Sequence, residues 1–485
     1  MRNIIKIGIL AISAITSLSL HSCDGFLDVT PTDKVTPDFV FKNYKTACSV
    51  LGGIYDRMNT NDGFGSGNAT GIHNFLWASD LRGTDLIYRN FSSDGFQGHD
   101  YSFTSRLFDH PRPRFFWTYC YMNIYAANEV LANVSGMTGT SEEKKQVEGE
   151  ARFIRAFNYW LLCQWFQHTY LKDPEAPAVP LYLAPTTIPQ QRASMKEVYA
   201  AIVADLTWSV QNMPAGRRSN SKFVPNTDVA NGVLARAYMD MGEYDLALPI
   251  AKALETKYPL MSSKDYTSGF ANVNIDECIW GLPTSPRNMS ASYTLPLIYS
   301  HPRLHGRWSQ KLIYINDSFN NLFSSTDIRK SLIIPNPNTN EAANNTQLTL
   351  VTTKIMDEAS AAKGPNIILM RGAEMLLIEA ECLARTGKEA EAQVVLHTLQ
   401  VKRDPSAVKT SATGANLIDE IHVERRKELF GEGFAFYDYK RLRKPIVRTG
   451  NHYGECKFEI PADDQRLVFQ IPQAEMQVNP MEQND

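Results

Sequence analysis

The chain has 485 residues, with 49 basic and 52 acidic side chains and a formal net charge of -3 at pH 7. That balance offers no basic field to nucleic acid, and 43% hydrophobic against 21% charged content excludes wholesale disorder. The length admits two or three domains, or one large helical domain with insertions. An aromatic content of 11% suits either a large core between helices or stacking on flat ligands.

The first 22 residues read as an export signal. Arg2 and Lys6 precede an uncharged apolar run from Ile7 to Leu20, and Leu20-His21-Ser22-Cys23 follows. The run is too short and wrongly flanked for a membrane span. A cysteine directly after the cut has the form of a bacterial lipobox, so Cys23 is the expected lipidation site and mature N-terminus. No second apolar run is long enough to cross a bilayer, which predicts a protein anchored to a membrane without crossing it. The other cysteines, Cys48, Cys120, Cys163, Cys278, Cys382 and Cys456, are scattered and form no C-x-x-C pair. Cys163 and Cys382 lie in apolar helical stretches and read as small core residues, and sequence cannot pair the others.

In chain order, amphipathic helices are predicted over Phe39 to Arg57, over about Phe115 to Asn133, and over Glu142 to Phe166. Pro174, Pro177, Pro180 and Pro185 then enforce a loop. Asn231 to Pro259 carries Ala235, Tyr238, Gly242, Tyr244, Ala247, Ala251, Leu254 and Pro259 at tetratricopeptide offsets, and Leu376 to Leu399 repeats them with Ala380, Leu383, Gly387, Ala392 and Leu396. A weaker third copy begins at Ala156 and Tyr159. Such helices need neighbours to bury their faces, so three or four units in a curved stack are expected. Two stretches, at about 60–113 and 258–366, lack helical periodicity and are far longer than ordinary loops, the kind of insertion that carries function on a rigid scaffold. Within the second, the polar stretch Asn336 to Gln347 reads as a mobile surface excursion.

Catalytic and metal patterns are missing. There is no G-x-S-x-G elbow, no H-E-x-x-H and no phosphate-binding P-loop. Gly63-Phe64-Gly65-Ser66-Gly67 follows no apolar strand and opens no helix, and Pro302 spoils His301 and His305 as a helical zinc pair. No catalytic residue, metal ligand or cofactor is assigned, although a glycosidase carboxylate pair has no sequence signature that would expose it. His422 to Leu429, with Asp438, Lys440 and Arg441, reads as a salt-bridge network locking two helices.

Together these stretches resemble the SusD/RagB family. Cys23-Asp24-Gly25-Phe26-Leu27-Asp28 with Pro31 is similar to its opening, and Gly53-Ile54-Tyr55 to the end of its first helix. Trp117, Tyr121, Ile124 and Asn128 match its next helix, and Gly149-Glu150-Ala151-Arg152-Phe153-Ile154-Arg155-Ala156 its most specific motif. Arg371 to Glu381, then Glu424-Arg425, Glu428-Leu429, Glu432-Gly433, Asp438 and Arg441, then Ile471-Pro472, Glu475 and Asn479-Pro480 complete the match. Departures lie in the scaffold: Gln167-His168 leads to Val179-Pro180 where the family often has Gly-Gly, and Gly372 stands where it commonly has an aromatic. The resemblance implies a mostly α fold of tetratricopeptide-like helices with long loop insertions. It makes residues 23–485 one such domain. It also implies a non-enzymatic lipoprotein on the outer face of a Bacteroidetes outer membrane, which binds glycans or oligopeptides and passes them to a SusC-like TonB-dependent transporter packed on the repeats. The alternatives are a glycan-degrading enzyme on a helical scaffold and a protein-only tetratricopeptide scaffold.

A sugar ring presents a C–H face to aromatics and a hydroxyl rim to polar groups. Trp77, Tyr88 and Arg89 in the first insertion, and Tyr293, Tyr299, Arg307 and Trp308 in the second, offer that combination. The expected platform is Trp308 and Tyr299 with Tyr88 opposite, while Trp77, inside Phe75-Leu76-Trp77, reads better as a loop anchor.

Overall fold

The computed structural model describes residues 40–60, 70–89, 96–216, 218, 221–270, 272–282, 313–355 and 366–485, and everything structural below concerns these. The first long helix, α1, spans Tyr44–Arg57. It starts later than its amphipathic pattern suggests because Asn43 caps it, accepting from the Thr46 N–H. Lys42 and Tyr44 also spend their backbone groups on Thr138. After α2 (His73–Leu81) and α3 (Phe96–Ser102) comes α4 (Pro111–Asn133), which begins a turn earlier than expected. His110 caps it and proline fills its first position, where no N–H is needed. The helix α5 (Ser141–Phe166) opens on a capping box between Thr140 and Glu143.

The repeats are helix pairs. In the first, α7 (Thr227–Met241) turns into α8 (Tyr244–Lys257) after α6 (Met195–Asn212). In the second, α9 (Gly372–Arg385) turns into α10 (Glu389–Arg403). Each turn passes through a left-handed glycine, Gly242 at φ +76 and Gly387 at φ +79, a conformation that penalises any Cβ. Ala235, Ala247, Ala251, Ala380 and Ala392 are all fully buried, so the small residues of the repeat let facing helices approach. Successive helices from α4 to α10 pack on one another in order, and α9 also receives α11 (Gly414–Leu429). The third copy expected from Ala156 and Tyr159 is α5 and α6, separated by the proline-rich connection.

The two insertions contain more structure than their periodicity showed. In α2 every residue but Leu76 is buried, polar ones included. A helix covered all round has no amphipathic pattern to read. The second insertion supplies β2 (Cys278–Leu282), paired antiparallel with β4 (Ile367–Arg371), and β3 (Ile313–Ile315), paired antiparallel with β1 (Leu86–Tyr88) of the first. The polar stretch 336–347 lies mostly at the surface, as expected, and is anchored at its base. Asn336 is 4% exposed and donates from Nδ2 to the Leu348 carbonyl, and Thr339–Asn344 is helical.

Under α11 lies a buried ionic network. Glu428 accepts from Arg329, Arg371 and Arg403, Glu432 from Arg371 and Lys354, and Glu277 from Arg371. Arg425 pairs with Asp438 of α12 (Ala435–Arg441), and Arg441 with Glu381 of α9. The C-terminal charge cluster therefore ties α9, α11 and α12 together. Among the described cysteines no disulfide forms; Cys48 is half-buried and the others, Cys163 and Cys382 included, are core. No helix of the described residues is long and apolar enough to cross a membrane.

Candidate functional site

The two insertions meet in space. The β1–β3 register sets Leu86 opposite Ile315 and Tyr88 opposite Ile313. The first insertion therefore leaves the ladder at Arg89 beside the point where the second arrives at Ile313. The base of this edge is rigid. The Asn316 N–H donates to the Asp85 carbonyl at 2.9 Å, and the Asp85 carboxylate pairs with Arg426. His452 is wedged beneath it. Its Nε2 lies 2.9 Å from the Thr84 carbonyl, so Nε2 carries the proton and Nδ1 accepts from the Tyr101 hydroxyl at 2.6 Å. Burial, with Arg448 beside it, pushes the His452 ring down to about 3, so the wedge is neutral at ordinary pH. The Tyr453 hydroxyl donates to the Arg89 carbonyl at 3.1 Å while the Arg89 residue stays exposed.

The candidates separate on this frame. Arg89 stands at the open edge. Tyr88 is 3% exposed and Trp77 fully buried, which corrects their inclusion as ligand contacts: neither ring has a face free for stacking. The Arg112 guanidinium sits 4.4 Å from the Trp77 ring centroid, held there by Asp100 and Asn74. Trp77 thus packs within the core as one end of a cation–π contact, and Tyr88 is a ladder residue. Tyr293, Tyr299, Arg307 and Trp308, like Cys23, lie outside the described residues.

A second surface escaped the sequence reading. A groove of about 640 Å³ runs between α4, the connection at 181–189 and α13 (Gln473–Val478), lined by Trp117, Tyr121, Tyr125, Tyr182, Ile188 and Val478 among others. Its volume is in the range of ligand pockets. Trp117, Tyr121 and Tyr125 recur every four residues along α4, which puts them on one face. That spacing was the available signal, but the other walls come from segments distant in sequence. The Tyr121 hydroxyl donates to the Pro180 carbonyl at 2.7 Å, and the Trp117 indole N–H to Glu475 at 3.3 Å.

Residues 26–239 match a family model described as starch-binding associating with outer membrane, and residues 307–485 match the model of the SusD family. A curated relative, SusD-like protein P25 of Formosa agariphila, is 23% identical, over 96% of this chain and 95% of its own. A SusD-like carbohydrate binding protein from Bacteroides vulgatus superposes with a TM-score of 0.80 at 24% identity, covering 90% of this chain and 96% of that one. A SusD superfamily protein from Bacteroides thetaiotaomicron gives 0.80 at 23% identity, covering 91% and 100%. At these identities the superpositions speak for the fold, and the two family models span both ends of the chain. With its paired repeat helices and two converging insertions, this chain belongs to the SusD/RagB family.

Proposed function

We propose that this protein binds glycans, or oligopeptides, at an outer membrane and delivers them to a TonB-dependent transporter, without catalysing their breakdown. The ligand site is the β1–β3 edge: Tyr299 and Trp308 supply the stacking faces, and Arg89, Arg307 and Tyr293 supply the polar rim. The observation that carries this reading is the pairing of Tyr88 with Ile313, which joins two insertions far apart in sequence at one rigid edge. Family membership supports the ligand class, since matched proteins are described as starch-binding or carbohydrate-binding. A lipid on Cys23 provides the anchor, and the outer faces of the repeat helices meet the transporter.

The test is a calorimetric screen of the purified protein against neutral and acidic polysaccharides and a peptide library, with product analysis of each mixture. Saturable binding without turnover supports the reading. Release of shorter glycans would establish the enzymatic alternative, and no binding to any member of the panel would favour a protein-only scaffold.

A further inference from the structure

We propose that the groove between α4, the 181–189 connection and α13 is the seat of this chain's own segment Phe26–Pro31. Four large apolar side chains line it in the open: Ile188 is 72% exposed, Val478 70%, Tyr125 51% and Met122 37%. Apolar groups gathered at one concavity mark a surface that something covers. The walls are set in advance. Tyr121 and Trp117 are tied as described above, and the Tyr182 hydroxyl accepts from the Gln190 N–H at 3.2 Å, so little ordering is needed on occupation. The two charges in the lining are already engaged, Arg57 with Asn123 at 2.7 Å and Glu475 with Trp117 and Asn479. The groove therefore asks for an uncharged apolar occupant.

The segment has that chemistry. Residues 24–38 read DGFLDVTPTDKVTPD, polar and acidic apart from Phe26, Leu27, Val29, Val35 and the prolines. In an extended chain Leu27, Val29 and Pro31 share one side, and the acidic Asp28 faces away from it. Thr118 and Thr187 line the groove with hydroxyls that make no hydrogen bond among the described residues, which leaves them for the backbone of an extended strand.

The reach is sufficient. The described chain begins at Val40. Its start is held at Thr138, just past the end of α4, by the bonds from the Tyr44 N–H to the Thr138 carbonyl and from the Thr138 N–H to the Lys42 carbonyl, each 3.0 Å. From Asn133 back to Tyr125 is about 12 Å along the helix, whereas residues 31–39 can span about 27 Å. A tethered segment also acts at millimolar-order effective concentration, so it outcompetes free partners of similar affinity.

The test is disulfide trapping in the full chain. With Leu27→Cys and Ile188→Cys together, mild oxidation should give at least ten times more intramolecular cross-link than Leu27→Cys with Val408→Cys, since Val408 is 85% exposed on the connection between α10 and α11. Equal trapping at both sites overturns the proposal. Hydrogen exchange gives a second measurement. Leu27→Asp with Val29→Asp should speed exchange at residues 181–190 in the purified protein. Unchanged exchange, or protection that appears only when a glycan or a membrane extract is added, overturns the proposal in favour of another occupant.

Discussion

Arg371 and Glu428 meet at 2.8 Å with side chains 1% and 0% exposed. Burial by itself would raise the Glu428 carboxyl, but Arg403, Arg371 and Arg329 hold it well below the usual range. It is therefore ionised and shared among three guanidinium groups. Removing one member of such a cluster leaves uncompensated charge in the core, which costs about 3–5 kcal/mol. Glu428→Ala should lower the free energy of urea unfolding by that amount; a loss under about 1 kcal/mol would mean that the network adds little.

Stacking and packing aromatics should part cleanly on substitution. Trp77→Ala empties a fully buried site and should cost about 3–5 kcal/mol of stability. Trp308→Ala and Tyr299→Ala should abolish glycan binding with the melting temperature close to that of the parent. Calorimetry and thermal scans on the three variants check this. If Trp308→Ala and Tyr299→Ala both bind as the parent does, the site lies elsewhere.

Acid should strip a defined increment from the fold. Glu381 is buried, which raises its carboxyl, yet Arg441 and Arg385 outweigh that and bring it down to about 2 from 4.5. Its contribution is therefore complete above pH 4.5 and lost as pH falls toward 2. The shift corresponds to about 3 kcal/mol. Stability measured from pH 5 to pH 2 should fall less steeply in Glu381→Gln than in the parent, and parallel curves would remove Glu381 from the account.

Two glycines should respond differently to alanine. A Cβ on Gly387 meets open space and suffers only its left-handed backbone, about 1 kcal/mol. A Cβ on Gly372 would overlap the Tyr258 carbonyl oxygen, which is backbone and cannot swing aside. Gly372→Ala should cost about 3 kcal/mol or prevent folding. The Tyr258 backbone leaves no room for a side chain at this position. Similar melting temperatures for the two variants would contradict the assignment.

Cys23→Ala should release the protein from membranes. Fractionation of cells producing the variant reads this directly, and continued sedimentation with the membrane fraction would show another means of attachment.

The sequence alone determined the elements whose signals are local. Helical repeats announce themselves through small residues and a turn glycine at fixed offsets, and α5 through its long apolar stripe. The charged run from His422 to Arg441 was legible as a helix-locking network, but its pairings were not: Arg425 takes Asp438 of the next helix rather than Glu428, which takes Arg329, Arg371 and Arg403 from distant segments. The tertiary structure decided everything that depends on what lies across a contact. It made α2 a helix although burial on every side erases its pattern. It turned Trp77 and Tyr88 inward and pinned the polar stretch at Asn336. It also assembled the groove from α4, the 181–189 connection and α13. Above all it joined β1 to β3, since strand pairing is a bond between distant backbone groups whose register no single segment encodes.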